Sequence, residues 1–132
     1  MEAESKGAKS KGGLVLGIVS QDSWVNANPY NDVVVSTGIG VARDFITTYS
    51  FDALLVVGGG AGTLIEAWAA YLQAKPIMSV TGSGGIADQI VDTYLNDRRL
   101  VKVIGMKDPK KAVEKALKLI EWNDSPPSKM TW

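Results

Sequence analysis

The sequence of 132 residues contains no cysteine and no histidine. The first absence excludes disulfides, thiolate nucleophiles and zinc–thiolate sites. The second removes the usual general base near neutral pH and the commonest transition-metal ligand, so no metal site is expected. Proton transfer would fall to carboxylates, tyrosine, lysine or water. An excess of one charge is also lacking: 14 Lys plus Arg balance 14 Asp plus Glu, which gives no pull toward nucleic acid or anionic lipid. No apolar run approaches the ~20 residues of a membrane-spanning helix. No basic-then-apolar leader opens the chain. The expectation is a cytoplasmic protein with a small-molecule partner, without nucleic acid or membrane.

What is present is enough apolar material, 45% of residues, for one packed domain over residues 1–122. Residues 123–132, with Pro126 and Pro127, read as a tail. Runs rich in Val, Ile and Leu at Gly13–Val19, Asp32–Thr37, Ala53–Val57, Pro76–Val80 and Leu100–Ile104 read as strands. None alternates strictly between apolar and polar, which predicts a sheet covered on both faces. Helical patterns fall at about Val41–Ser50, Leu64–Ala74, Ile86–Leu95 and Pro109–Trp122. The last carries Ala112, Val113, Ala116, Leu117 and Ile120 on one stripe and lysines on the other. Strands alternating with helices predict an α/β fold with a parallel sheet and right-handed crossovers. Only Ser20–Asn31 breaks the alternation, as a long loop of about the minimum length for a parallel crossover. It reads equally as a functional loop or a plain connector.

Strand Ala53–Val57 runs into Gly58, Gly59, Gly60, Ala61, Gly62 and Thr63 and then a helix. Such a turn exposes consecutive N–H groups, and the positive end of the helix behind it favours an anion. No Lys follows the last glycine, so this is not a P-loop, and close packing alone also selects such turns. Glu66 follows Thr63 by three residues, the spacing of a capping box. A carboxylate beside an anion site could also work on a cation, a hydroxyl or a forming oxocarbenium. A second turn, with Gly38 and Gly40, leads to Arg43, either solvated or reaching an anion. A third holds Gly82, Ser83, Gly84 and Gly85. In an open parallel sheet all three lie at the carboxyl ends of strands, where ligands bind. Trp24, in the long loop, is the candidate to stack on a planar ring. Trp68 reads as core or interface, and Trp122 and Trp132 as packing and tail.

The segments GGGAGTLIEAW and ANPYNDVVVSTGIGVARD resemble the Lonely Guy family, the second pointing to a branch that includes the molybdenum cofactor carrier proteins. The likeness runs from Met1 to about Ile120. It implies a Rossmann-like parallel sheet of about five strands and a homodimer or larger homo-oligomer. It also implies phosphate contacts from Gly59, Gly60, Gly62 and Thr63, with Arg43 and Glu66 as a catalytic pair. In the family's enzymes nucleoside monophosphates are cut to free base and ribose 5-phosphate, with no cofactor required. In the carriers the cargo is the molybdenum cofactor.

The sequence departs from the family in two places: Gly58 stands for the usual Pro, and Asp44 for Asn. Its opening, MEAESKGAKSKGGLVLGI, resembles the middle of the family, so a preceding βαβ segment is expected to be missing. Strand Gly13–Val19 is then expected to pair directly with Asp32–Thr37, or a partner chain to cover the gap. Three readings stay open: a carrier or sensor of a phosphorylated ligand, a nucleoside monophosphate hydrolase, and a shortened chain that only assembles.

Overall fold

The computed structural model describes residues 1–122, with side chains to residue 120; the predicted tail at 123–132 and the Trp122 and Trp132 side chains lie outside the described residues. The elements run α1 (Glu2–Ser10), β1 (Leu16–Val19), β2 (Val33–Ser36), a 3-10 turn (Gly40–Ala42), α2 (Arg43–Tyr49), β3 (Leu54–Val56), α3 (Ala61–Leu72), β4 (Ile77–Val80), α4 (Gly85–Ile90), β5 (Ile104–Met106) and α5 (Pro109–Trp122). The chain divides into two compact units, Met1–Thr47 and the residues from Thr48 onward.

In the first unit β1 and β2 form a parallel pair with Leu16 opposite Val33 and Val19 opposite Ser36. This is the direct pairing expected for those strands. Asp32 fixes the entry to β2: its carboxylate accepts from Val15 N–H at 2.7 Å and from Lys9 Nζ at 2.6 Å. These two donors hold the Asp32 carboxyl below its ordinary range, the lysine contributing most. The intervening loop is shaped by its asparagines. Asn28 Oδ1 accepts from Tyr30 N–H, and Asn28 Nδ2 donates to Ser5 Oγ at 2.7 Å. Helix α1 was not foreseen. It buries no residue; besides those bonds of Lys9 and Ser5, it has Glu2 and Glu4 in the first turn and Lys9 in the last, each placed favourably for the helix dipole.

The second unit is a parallel three-stranded sheet in the order β3-β4-β5. Every residue of the central strand β4 is buried. Ile77 joins Leu54, Val56, Ala67, Ala70, Tyr71, Ala87, Ile90 and Val103 in one cluster, while Met78 packs with Ala112 and Ala116 of α5 in another. Neighbouring strand residues point to opposite faces, so the lack of alternation in the sequence reflects a sheet packed on both sides. The α/β class with five parallel-paired strands stands, the strands being shared between a two-stranded and a three-stranded sheet.

Several boundaries differ from expectation, among them β1, which begins at Leu16 rather than Gly13. Helix α3 begins at Ala61, with Gly60 as its N-cap and no side-chain cap. Thr63 therefore lies inside the first turn, and Thr63 with Glu66 is not a capping box. Helix α4 stops at Ile90 because Val91 turns extended (ψ 135°) and Asp92 adopts φ 57°. Strand β5 starts at Ile104 rather than Leu100. Lys102 forms an antiparallel bridge with Tyr94, and Leu100 N–H donates to Tyr71 Oη at 3.2 Å. Tyr71 Oη in turn donates to Asn96 Oδ1. A fully buried tyrosine hydroxyl thus holds the α4–β5 connection.

Candidate functional site

The turn after β3 is defined by two glycines in left-handed conformations, Gly58 (φ 58°) and Gly59 (φ 90°). A side chain at Gly59 would run into Thr63, whose hydroxyl stands beside the turn. Gly60 then takes an extended conformation (φ −126°, ψ −148°), and its carbonyl accepts from Leu64 N–H at 3.1 Å. The first N–H groups of a helix have no partner within it, and the N-cap of α3, Gly60, has no side chain to cap them. Gly60 and Ala61 are exposed, and Gly62, Thr63 and Glu66 half-buried. Glu66 lies one turn beyond Thr63 and Gly62 on the same helix, so its side chain shares their face.

The third glycine turn is pressed against the first. Gly58 N–H donates to Ser83 Oγ at 2.9 Å, and Ser83 Oγ donates to the Val80 carbonyl at 2.6 Å. The Gly58 and Gly59 carbonyls accept from Ala87 N–H (2.9 Å) and Ile86 N–H (3.0 Å), in the first turn of α4. Gly85 (φ 56°) makes this approach possible: a Cβ there would strike the Gly59 carbonyl and lie 3.0 Å from the Gly58 carbonyl carbon. The Asp88 carboxylate accepts from Gly82 N–H at 2.6 Å and Gly84 N–H at 2.9 Å. Asp88 was missed in the sequence. Its signal was an acid in the first turn of a helix that follows a glycine-rich turn.

The second turn belongs to the first unit. Gly38 (φ 65°) and Gly40 (φ 60°) donate their N–H groups to the carbonyls of Gln21 and Ser20, each at 3.0 Å. Arg43, the first residue of α2, pairs through Nε with Oδ1 of the buried Asp44 at 3.2 Å. Trp24 is 70% exposed in the loop between β1 and β2. In the second unit Trp68 packs edge-on against Tyr71 with ring centroids 5.7 Å apart and is exposed rather than part of the core. The structure thus gathers Gly58, Gly59, Gly60, Gly62, Thr63, Glu66, Gly82, Ser83 and Gly84 in one unit, while Gly38, Gly40, Arg43 and Trp24 belong to the other. Among the described residues no cluster of acidic side chains is suited to a metal ion. No described helix is long and apolar enough to cross a membrane.

A parallel α/β fold with a glycine-rich strand-to-helix turn is of the Rossmann-like class. Residues 1–113 match the SLOG cluster4 family, and the chain belongs to that family, in agreement with the Lonely Guy-like motifs. An uncharacterized protein of Archaeoglobus fulgidus is 44% identical over 80 residues, covering 61% of this chain and 52% of that protein. The chain therefore spans about half the length of that relative. The X-ray structure of TM1055, a structural-genomics target, has a TM-score of 0.79 and 32% identity, covering 89% of this chain and 71% of that one. The molybdenum cofactor binding protein of the phototrophic bacterium Rippkaea orientalis has a TM-score of 0.76 and 27% identity, covering 91% and 71%.

Proposed function

We propose that the chain binds a phosphorylated small molecule at the Gly58–Thr63 turn and acts as its carrier. The observation that carries this reading is the start of α3, where the N-cap is Gly60, which has no side chain to cap the first N–H groups. Phosphate oxygens supply the missing acceptors, and the helix dipole favours their charge. Likeness to a molybdenum cofactor binding protein supports a phosphorylated pterin of that kind as the cargo. Gly59, Gly60, Gly62 and Thr63 hold the phosphate in this reading, and the chain works in the cytoplasm. Exposed Leu16, Val33 and Val35 on the β1–β2 pair support assembly into a homodimer or larger homo-oligomer, which sedimentation would test.

Titration with inorganic phosphate, ribose 5-phosphate, adenosine monophosphate and adenosine, read by thermal shift, tests the ligand class. The phosphorylated compounds should stabilise the protein and adenosine should not; equal response to adenosine would contradict the reading. Glu66, on the face of α3 that carries Gly62 and Thr63, favours a second reading as a nucleoside monophosphate hydrolase. It stabilises an oxocarbenium-like state or activates water, with Arg43 its expected catalytic partner. Chromatographic detection of free base, lost in both Glu66→Ala and Arg43→Ala, would establish turnover. Absence of base release would leave the carrier.

A further inference from the structure

The turn at Gly82–Gly84 has the composition of a ligand loop, yet its polar groups are already taken by partners within the protein. Gly82 and Gly84 give their N–H groups to Asp88, and Ser83 Oγ takes the N–H of Gly58. The first-turn N–H groups of α4 at Ile86 and Ala87 go to the carbonyls of Gly59 and Gly58. All described peptide bonds are trans. In a planar trans peptide the N–H points opposite to the carbonyl of the same plane. The Gly58 carbonyl shares its plane with Gly59 N–H, and the Gly59 carbonyl with Gly60 N–H. Since both carbonyls are held toward α4, the N–H groups of Gly59 and Gly60 are turned away from it.

We propose that Ser83 and the first turn of α4 position the Gly58 turn for its ligand, orienting the Gly59 and Gly60 N–H groups, and do not themselves touch the phosphate. The inference rests on the anion-binding reading of that turn. It assigns the third turn a scaffold role and names Ser83 and Asp88 as positioning residues. Asp88 contributes a second effect. Its carboxylate takes up the N–H groups of the third turn and sets a negative charge there, which repels an anion from Gly82–Gly84. An incoming phosphate is left with the Gly58–Thr63 turn.

Two-dimensional amide NMR with ribose 5-phosphate as the probe tests this. In the free protein Gly58 N–H should exchange slowly, whereas Gly59 and Gly60 should exchange freely. Equal protection at all three would overturn the proposal without any variant. On titration the largest shifts should fall on Gly59 and Gly60. Ser83→Ala should weaken the affinity on the order of tenfold, the scale of one hydrogen bond, and Ser83→Thr should restore it. Largest shifts at Gly82 and Gly84, or unchanged affinity in Ser83→Ala, would refute the positioning role while leaving the anion site standing. A wild-type protein that shows no shifts would bring down the anion site and the positioning role together.

Discussion

Replacing Gly85 with alanine tests whether the two glycine turns of the second unit are as closely fitted as the structure requires. Gly85 has φ 56°, and an added Cβ would collide with the Gly59 carbonyl oxygen while lying 3.0 Å from Gly58 C and 3.1 Å from Gly59 N. All three neighbours are backbone, so no flexible side chain can swing aside. Holding an L-residue in the left-handed region costs about 1–2 kcal/mol. Overpacking of a fitted contact adds about 1–3 kcal/mol. The expected loss is therefore about 2–5 kcal/mol, a large part of the ~5–15 kcal/mol that stabilises a typical domain. Urea denaturation of wild type and Gly85→Ala measures it directly. A suitable control is Gly12→Ala, because Gly12 also has positive φ (76°) but open space around its Cβ position. It should show the conformational cost alone. If Gly85→Ala loses no more than Gly12→Ala, the close approach of the turns is wrong.

Two other substitutions check features far from that contact. Helix α3 ends with Ala74 at φ 54°, its N–H on the Tyr71 carbonyl, and Lys75 N–H on the Ala70 carbonyl. That is a Schellman ending with alanine where glycine is favoured, so Ala74→Gly should raise stability by about 1 kcal/mol, read as an increased denaturation midpoint; a decrease would contradict the assignment. Asp32, its pKa lowered from 3.8 by Lys9 and Val15 N–H, binds protons less readily folded than unfolded. Its stabilisation is complete above pH 3.8 and is lost as pH falls through the lowered folded-state value. Thermal midpoints between about pH 2 and 5 should fall less steeply in Asp32→Asn than in wild type; parallel curves would refute the pairing.

The non-alternating strands announced a sheet covered on both faces; Ile77 and Met78 of β4 meet that by entering opposite clusters, whereas β2 is mostly exposed. The glycine turns were equally plain, because few local signals compete with glycine at a strand end. What the sequence hid depended on partners distant along the chain. The shift of β5 to Ile104 follows from Tyr71 and Tyr94 engaging Leu100 and Lys102, contacts that no local pattern encodes. Helix α1 buries nothing, so it left no apolar stripe to read. The apparent capping box at Thr63 and Glu66 failed because Gly60, without a side chain, took the cap position. The third turn illustrates a subtler limit. Its glycines were visible, but the direction of its N–H groups depends on Asp88 and on the carbonyls of Gly58 and Gly59.

The central claim is that the start of α3 binds phosphate, and Gly60→Val addresses it most directly. Gly60 has φ −126°, outside the left-handed region, and an added Cβ would meet nothing within 4 Å. Replacing a glycine N-cap by valine costs about 1 kcal/mol, so the variant should remain folded, with a side chain standing where the phosphate must approach. Calorimetric titration with ribose 5-phosphate should then give an affinity at least about tenfold weaker than wild type, equivalent to ~1.4 kcal/mol. Wild-type affinity in a folded Gly60→Val protein would contradict the claim.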